Sequence, residues 1–210
     1  MYRHILFSSL IILMANAASF AQNGDQRPLF RQMGFLSWDV NIPINNTFVS
    51  ATSYKGGSFG FRKMLENGKV SIGGDMSWNA FQEYTDRKTY PMGDNGSVTT
   101  DFVKYIYTLP LSVNSHYYFT SEKMINPYVG IGIGATYASE ELYYNTYVTE
   151  DDQWGFLMRP EVGVIIKPQL YSGWGILVGA RYNYSTNEQT DFDIQSLQTM
   201  EFQLGIAWSW

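Results

Sequence analysis

The chain has 210 residues, a formal charge of −5, no cysteine and a hydrophobic fraction of 45%. A mild acidic excess without clustered Lys and Arg excludes a nucleic-acid partner, and the lack of cysteine excludes disulfide frameworks, thiolate zinc sites and a lipid-accepting cysteine. Aromatic residues (17%) outnumber charged ones (16%), and Tyr and Trp, apolar at one end and wet at the other, suit a membrane interface.

The chain opens with Arg3, an apolar run from Ile5 to Met14 and the small-residue site Ser19-Phe20-Ala21. This is the pattern of a secretory signal peptide over residues 1–21, cleaved before Gln22. The run is shorter than the roughly 20 apolar residues of a spanning helix. Removing it takes Arg3 and no acid, so the charge goes from −5 to −6, and His116 becomes the sole histidine. Histidine-built metal sites are thereby out of reach, and neither a metal nor a cofactor is expected. Residues 22–30, polar and carrying Pro28, are expected to be a periplasmic lead-in, and residues 31–210 one barrel domain.

From Arg31 onward the pattern alternates with the period of a β-strand. The first strand, 31–42, sets Leu36, Trp38, Val40 and Ile42 against Ser37, Asp39 and Asn41. The second, 54–64, sets Phe59 and Phe61 against Ser58, Gly60 and Arg62, and ends at Asn67-Gly68, a tight-hairpin signal. The third, 70–80, sets Ile72, Met76 and Trp78 against Ser71, Asp75 and Asn79. The fourth, 102–119, sets Tyr105, Tyr107, Leu109, Leu111 and Val113 against Lys104, Thr108, Ser112, Asn114 and His116. Pro110 inside it costs a ladder bond, so a bulge or kink is expected there. In the fifth, 127–138, Val129, Ile131 and Ile133 alternate with Gly130, Gly132 and Gly134, as in a narrow barrel whose lumen also holds long side chains.

The stretch from Trp154 to Tyr184 alternates most strictly and splits at the turn 168–173 into strands six and seven. Phe156, Met158, Val162, Val164 and Ile166 oppose Arg159, Glu161, Gly163 and Lys167. Trp174, Ile176, Val178 and Tyr182 oppose Gly175, Gly179, Arg181 and Asn183. The eighth strand, 197–210, sets Phe202, Leu204, Ile206, Trp208 and Trp210 against Glu201, Gln203, Gly205 and Ser209. Long connections (43–53, 81–101, 139–153, 185–196) alternate with short ones (65–69, 120–126, 168–173). An even strand count, short turns on one side, long loops on the other and charges opposite the apolar face describe an all-β, eight-stranded, antiparallel up-and-down closed transmembrane barrel. Two aromatic girdles follow: Trp38, Trp78, Tyr105, Trp154, Tyr182 and Tyr184 outside; Tyr117, Phe119, Trp174, Trp208 and Trp210 at the periplasmic side.

The runs LPLSVNSHYYF (109–119), INPYVGIGIGATY (125–137) and RPEVGV (159–164) resemble the outer-membrane β-barrel domain family of Gram-negative bacteria, of the small OmpX and OmpA-barrel type, over essentially the whole mature chain. The resemblance implies an outer-membrane location and a C-terminal strand read by the outer-membrane assembly machinery. Family members most often end in Phe, whereas this chain ends in Trp210.

Apart from Lys167 at a rim, the inward charges are Asp39, Arg62, Asp75, Lys104, Arg159, Glu161, Arg181 and Glu201, four acidic and four basic. A lumen of eight strands is only wide enough for side chains to fill, so they are expected to neutralise one another rather than line a channel. Strands six, seven, eight and one are consecutive around a closed ring. Asp39, Arg159, Glu161, Arg181 and Glu201 are therefore expected to form a structural charge network, with a bidentate Arg181–Glu201 pair at its centre. His116, with Ser112 and Ser115 nearby, has no acid beside it in the pattern, and no Gly-x-Ser-x-Gly elbow occurs, so no catalytic residue is assigned. The acids of 140–152 match no calcium-loop spacing and are expected to be a solvated, tyrosine-rich loop. The expected function is that of a non-enzymatic, monomeric outer-membrane barrel in contact with membrane lipid, whose loops bind an unidentified surface ligand. A small pore and a lipid-acting enzyme are the alternatives.

Overall fold

The computed structural model describes residues 29–210, except 45, 47, 93–95, 121–122, 145–146, 171 and 189–195. The signal sequence and residues 22–28 of the lead-in lie outside the described residues. Eight strands follow in order: β1 (Gln32–Ile44), β2 (Ser53–Met64), β3 (Val70–Met92), β4 (Gly96–Tyr118), β5 (Ile125–Tyr144), β6 (Tyr147–Ile166), β7 (Trp174–Ser185) and β8 (Leu197–Ser209). Each pairs antiparallel with the next, and β8 closes on β1 over twelve partners from Met33↔Ser209 to Ile44↔Gln198. Closure satisfies the backbone of every strand inside lipid, which an open sheet could not do.

The alternation places the side chains as the sequence dictates. Leu36, Phe59, Ile72, Val113, Ile131, Phe156, Val178 and Leu204 point out and are exposed, while Asp39, Arg62, Asp75, Arg159, Glu161, Arg181 and Glu201 point in and are buried. Trp38, Trp78 and Trp154 ring one end of the outer face; Tyr117, Trp174, Trp208 and Trp210 ring the other. At the β2–β3 turn, Gly68 takes a φ of 67°, and Asn67 Oδ1 accepts from the amides of Lys69 and Val70 at 3.1 and 3.0 Å. Gly130 faces the lumen because no side chain fits there: a Cβ on it would lie 2.3 Å from His116 Cδ2.

Two expectations are corrected. The described residues of 81–101 and 139–153 are strand rather than loop and extend β3, β4, β5 and β6 to 23, 23, 20 and 20 residues. Higher above the membrane both faces of a strand meet water, so the polar–apolar alternation fades although pairing continues, from Thr85↔Phe102 to Met92↔Gly96 and from Glu141↔Glu150 to Tyr144↔Tyr147. Pro110 causes no bulge. Met76↔Leu111 and Asn79↔Thr108 keep one offset on either side of it, and the β5 side runs unbroken through Pro110↔Thr136. The register shifts instead at Asp39/Asn41 and at Thr85/Lys88. At the end of the lead-in, Leu29 and Phe30 are each 5% exposed and pack into the periplasmic end of the barrel.

Candidate functional site

The lumen is stacked in layers. At the periplasmic end Leu29, Phe30, Met33, Phe35, Met64, Tyr118, Tyr128, Ile165, Leu177 and Ala207 pack as one apolar cluster. Lys167 Nζ reaches under it to the Leu29 carbonyl at 2.8 Å. Phe30 meets Tyr118 edge-on, and His116 meets Tyr128 in the same way.

Above this floor lies the charged layer. Arg181 on β7 divides its guanidinium among three carboxylates: Nε donates to Glu161 at 2.8 Å, Nη2 to Asp75 at 3.2 Å and Nη1 to Glu201 at 3.3 Å. The Arg181–Glu201 contact is thus a single bond, not the expected fork, because the two other acids claim the remaining donors. Arg159 Nη1 donates to Asp75 at 2.7 Å and its Nε to Asn183 at 2.6 Å. Arg62 donates to Glu161 at 2.9 Å and stacks over Phe35 and Tyr128 at 5.1 and 4.7 Å. The second oxygen of Glu201 accepts from Asn183 at 3.0 Å.

Of the five residues assigned from sequence, Arg159, Glu161, Arg181 and Glu201 therefore meet in one buried cluster. Asp39 makes no ion pair among the described residues. Its Oδ1 accepts from Ser37 at 2.8 Å and from Gln203 at 3.4 Å. Asp75, Arg62 and His116 join the cluster from β3, β2 and β4, outside the four consecutive strands of the expected network. Asp75 on β3 bonds to β6 and β7 across the ring. Inward phase on every strand of so narrow a lumen was the signal that could have included them.

His116 also has an acid beside it, contrary to expectation: its Nε2 lies 2.8 Å from Glu161 Oε1, with Ser71 Oγ 3.5 Å from Nδ1. The order hydroxyl, imidazole, carboxylate resembles a hydrolase relay, but Ser71 is 0% and His116 1% exposed, and Glu161 is shared with two arginines. No substrate can approach that hydroxyl.

At the outer end a second apolar cluster of Phe48, Val49, Phe81, Ile106, Ala138 and Leu197 covers the lumen. The β1–β2 connection supplies its lid, held by Glu83, whose Oε2 accepts from Ser50 N, Ser50 Oγ and Ala51 N at 2.6, 2.9 and 3.2 Å. Partial burial pushes the Glu83 carboxyl up, but the bonds from Ser50 and Ala51 and the nearby Lys104 outweigh it and hold it below its ordinary value of 4.5. A depressed carboxyl stabilises the fold above its unfolded pKa and loses that contribution as pH falls. Acidification below about 4.5 should therefore loosen the lid, and Glu83→Gln should remove this pH dependence; hydrogen exchange at the Ser50 and Ala51 amides measures both.

A closed ring with an apolar outer band, aromatic girdles and an ion-paired interior defines a transmembrane β-barrel. The family model for the outer membrane protein beta-barrel domain matches residues 7–209, and the chain belongs to that family, a family of the outer membrane. Among solved structures the fold is shared with neisserial surface protein A, NspA, at 13% identity and a TM-score of 0.53, covering 87% of this chain and 97% of that one. Ail of Yersinia pestis (12% identity, TM-score 0.47, 84% and 96% covered) and the N-terminal barrel of Pseudomonas aeruginosa OprF (13%, 0.42, 85% and 98%) are more distant matches. No curated protein sequence matches the chain.

Proposed function

We propose that this protein is a non-enzymatic outer-membrane barrel of a Gram-negative bacterium, with a lumen closed to ions and a raised extracellular sheet as its working part. Export would use residues 1–21 as a signal peptide, and the assembly machinery would engage strand β8. The observation that carries the interaction role is the unequal height of the wall. β2 stops pairing with β3 at Gly57↔Trp78, and β7 stops pairing with β6 at Leu157↔Ser185, yet β3–β6 continue upward. Beyond the girdle they form an open sheet of four strands whose outer two, β3 and β6, have no strand partner on their free sides among the described residues. Unpaired edges that carry backbone donors and acceptors above a membrane are a surface for an extended partner.

The lumen is filled from Leu29 to Phe48 by apolar floor, ion-paired middle and apolar lid, which supports a structural barrel over a pore. To test the interaction role, residues 142–149 would be removed and the β5–β6 hairpin closed with an Asn-Gly turn. The shortened barrel should still fold in detergent with its heat-modifiable mobility, while cells displaying it lose the surface binding that the full chain confers. Equal binding by both would remove the raised sheet from the function.

A further inference from the structure

Glu140 does not behave as a residue of a solvated acidic loop. It faces inward on β5, three residues beyond the girdle position Tyr137, and is 0% exposed, with neither carboxylate oxygen partnered. Directly across the ladder stands Asp151, also on the inward face of β6. Gln153, diagonal to Glu140 on that face, buries an amide oxygen without a partner. Lys104 on β4, inward-facing nearby, lies over the Phe48 ring at 5.2 Å and acts on Glu83. Burying the Glu140 carboxylate from water without a partner is costly unless something positive reaches it.

We propose that Glu140 and Asp151, with the Gln153 amide oxygen, bind one hard divalent cation, calcium or magnesium, at the outer mouth of the barrel. The donors are all oxygens, two of them anionic, which suits such an ion and not a soft transition metal. Among the described residues no three His, Cys, Asp or Glu side chains gather around one point, so the remaining ligands are water and the site is of the weak, extracellular kind. Burial, then the charges of Asp151 and Asp152, pushes the Glu140 carboxyl up to about 8 when no cation is present. A bound ion reverses this preference and pins β5 to β6 at the base of the raised sheet.

The test is calcium titration calorimetry on the full-length barrel in detergent, with thermal unfolding in calcium and in chelator. Wild type should bind one calcium with a Kd of about 0.1–1 mM and unfold at a higher temperature in calcium. Glu140→Gln and Asp151→Asn should fold but lose both effects, whereas Glu150→Gln and Asp152→Asn, on the outward face, should keep them. Equal calcium binding by wild type and Glu140→Gln would overturn the proposal. So would a wild type that ignores calcium and instead loses stability as pH rises from about 4.5 to about 8, because Glu140 would then hold a proton.

Discussion

Arg181→Ala is expected to destabilise the barrel by about 3–5 kcal/mol in reversible urea unfolding from detergent or lipid, the cost of breaking a buried ion-paired set. Between the apolar floor and lid, the buried charges described are the acids Asp39, Asp75, Glu161 and Glu201 against the arginines Arg62, Arg159 and Arg181. Removing Arg181 leaves four acids against two bases. Asp75 still has Arg159, and Glu161 still has Arg62, but Glu201 retains only Asn183. Glu201→Ala should cost less, about 1–3 kcal/mol, because Arg181 keeps its shorter bonds to Glu161 and Asp75. Equal and small effects of both substitutions would mean that the charges are hydrated separately.

Phe35→Ala is the second large expected effect, also about 3–5 kcal/mol, from the lost transfer energy and the cavity left behind. The ring is 1% exposed and lies under two guanidinium groups, with Arg62 and Arg181 at 5.1 and 5.7 Å from its centre. Its removal takes apolar contacts from the floor and a π face from the charged layer. Phe35→Leu should recover most of the volume but not the cation–π part, so it should fall between wild type and Phe35→Ala. If leucine and alanine are equally damaging, the ring's electrostatic role dominates. If both are harmless, the floor is not packed.

The fold was legible because lipid imposes a rule on every membrane-crossing residue. Trp38 against Asp39, or Phe202 against Glu201, fixes the strand phase without any knowledge of partners. Outside the membrane the rule lapses, and with it the legibility. The segments Thr85–Thr99 and Glu141–Glu150 are rich in charge and tyrosine, as a loop would be, yet their described residues pair across each hairpin, with one register shift at Thr85/Lys88. The apolar floor was hidden for a related reason. Phe35, Tyr128, Ile165 and Leu177 point inward in a pattern that elsewhere marks inward positions as polar. Their neighbours are residues on strands far apart in sequence, along with Leu29 and Phe30. Within the charged layer, the members on β6, β7 and β8 follow from adjacency. Asp75 requires knowing that β3 faces β6 and β7 across the ring, which depends on barrel width and stagger rather than on any local pattern.

The closed, filled lumen is tested most directly by single-channel recording of the purified mature barrel in a planar bilayer. Wild type should insert without producing discrete conductance steps at neutral pH. The triple variant Arg62→Ser/Arg159→Ser/Arg181→Ser, which empties the charged layer while keeping the outer wall, should show small steps if it folds. Stable ohmic steps from the wild type would show that water and ions pass Phe35, Arg181 and Phe48, and would contradict a closed lumen.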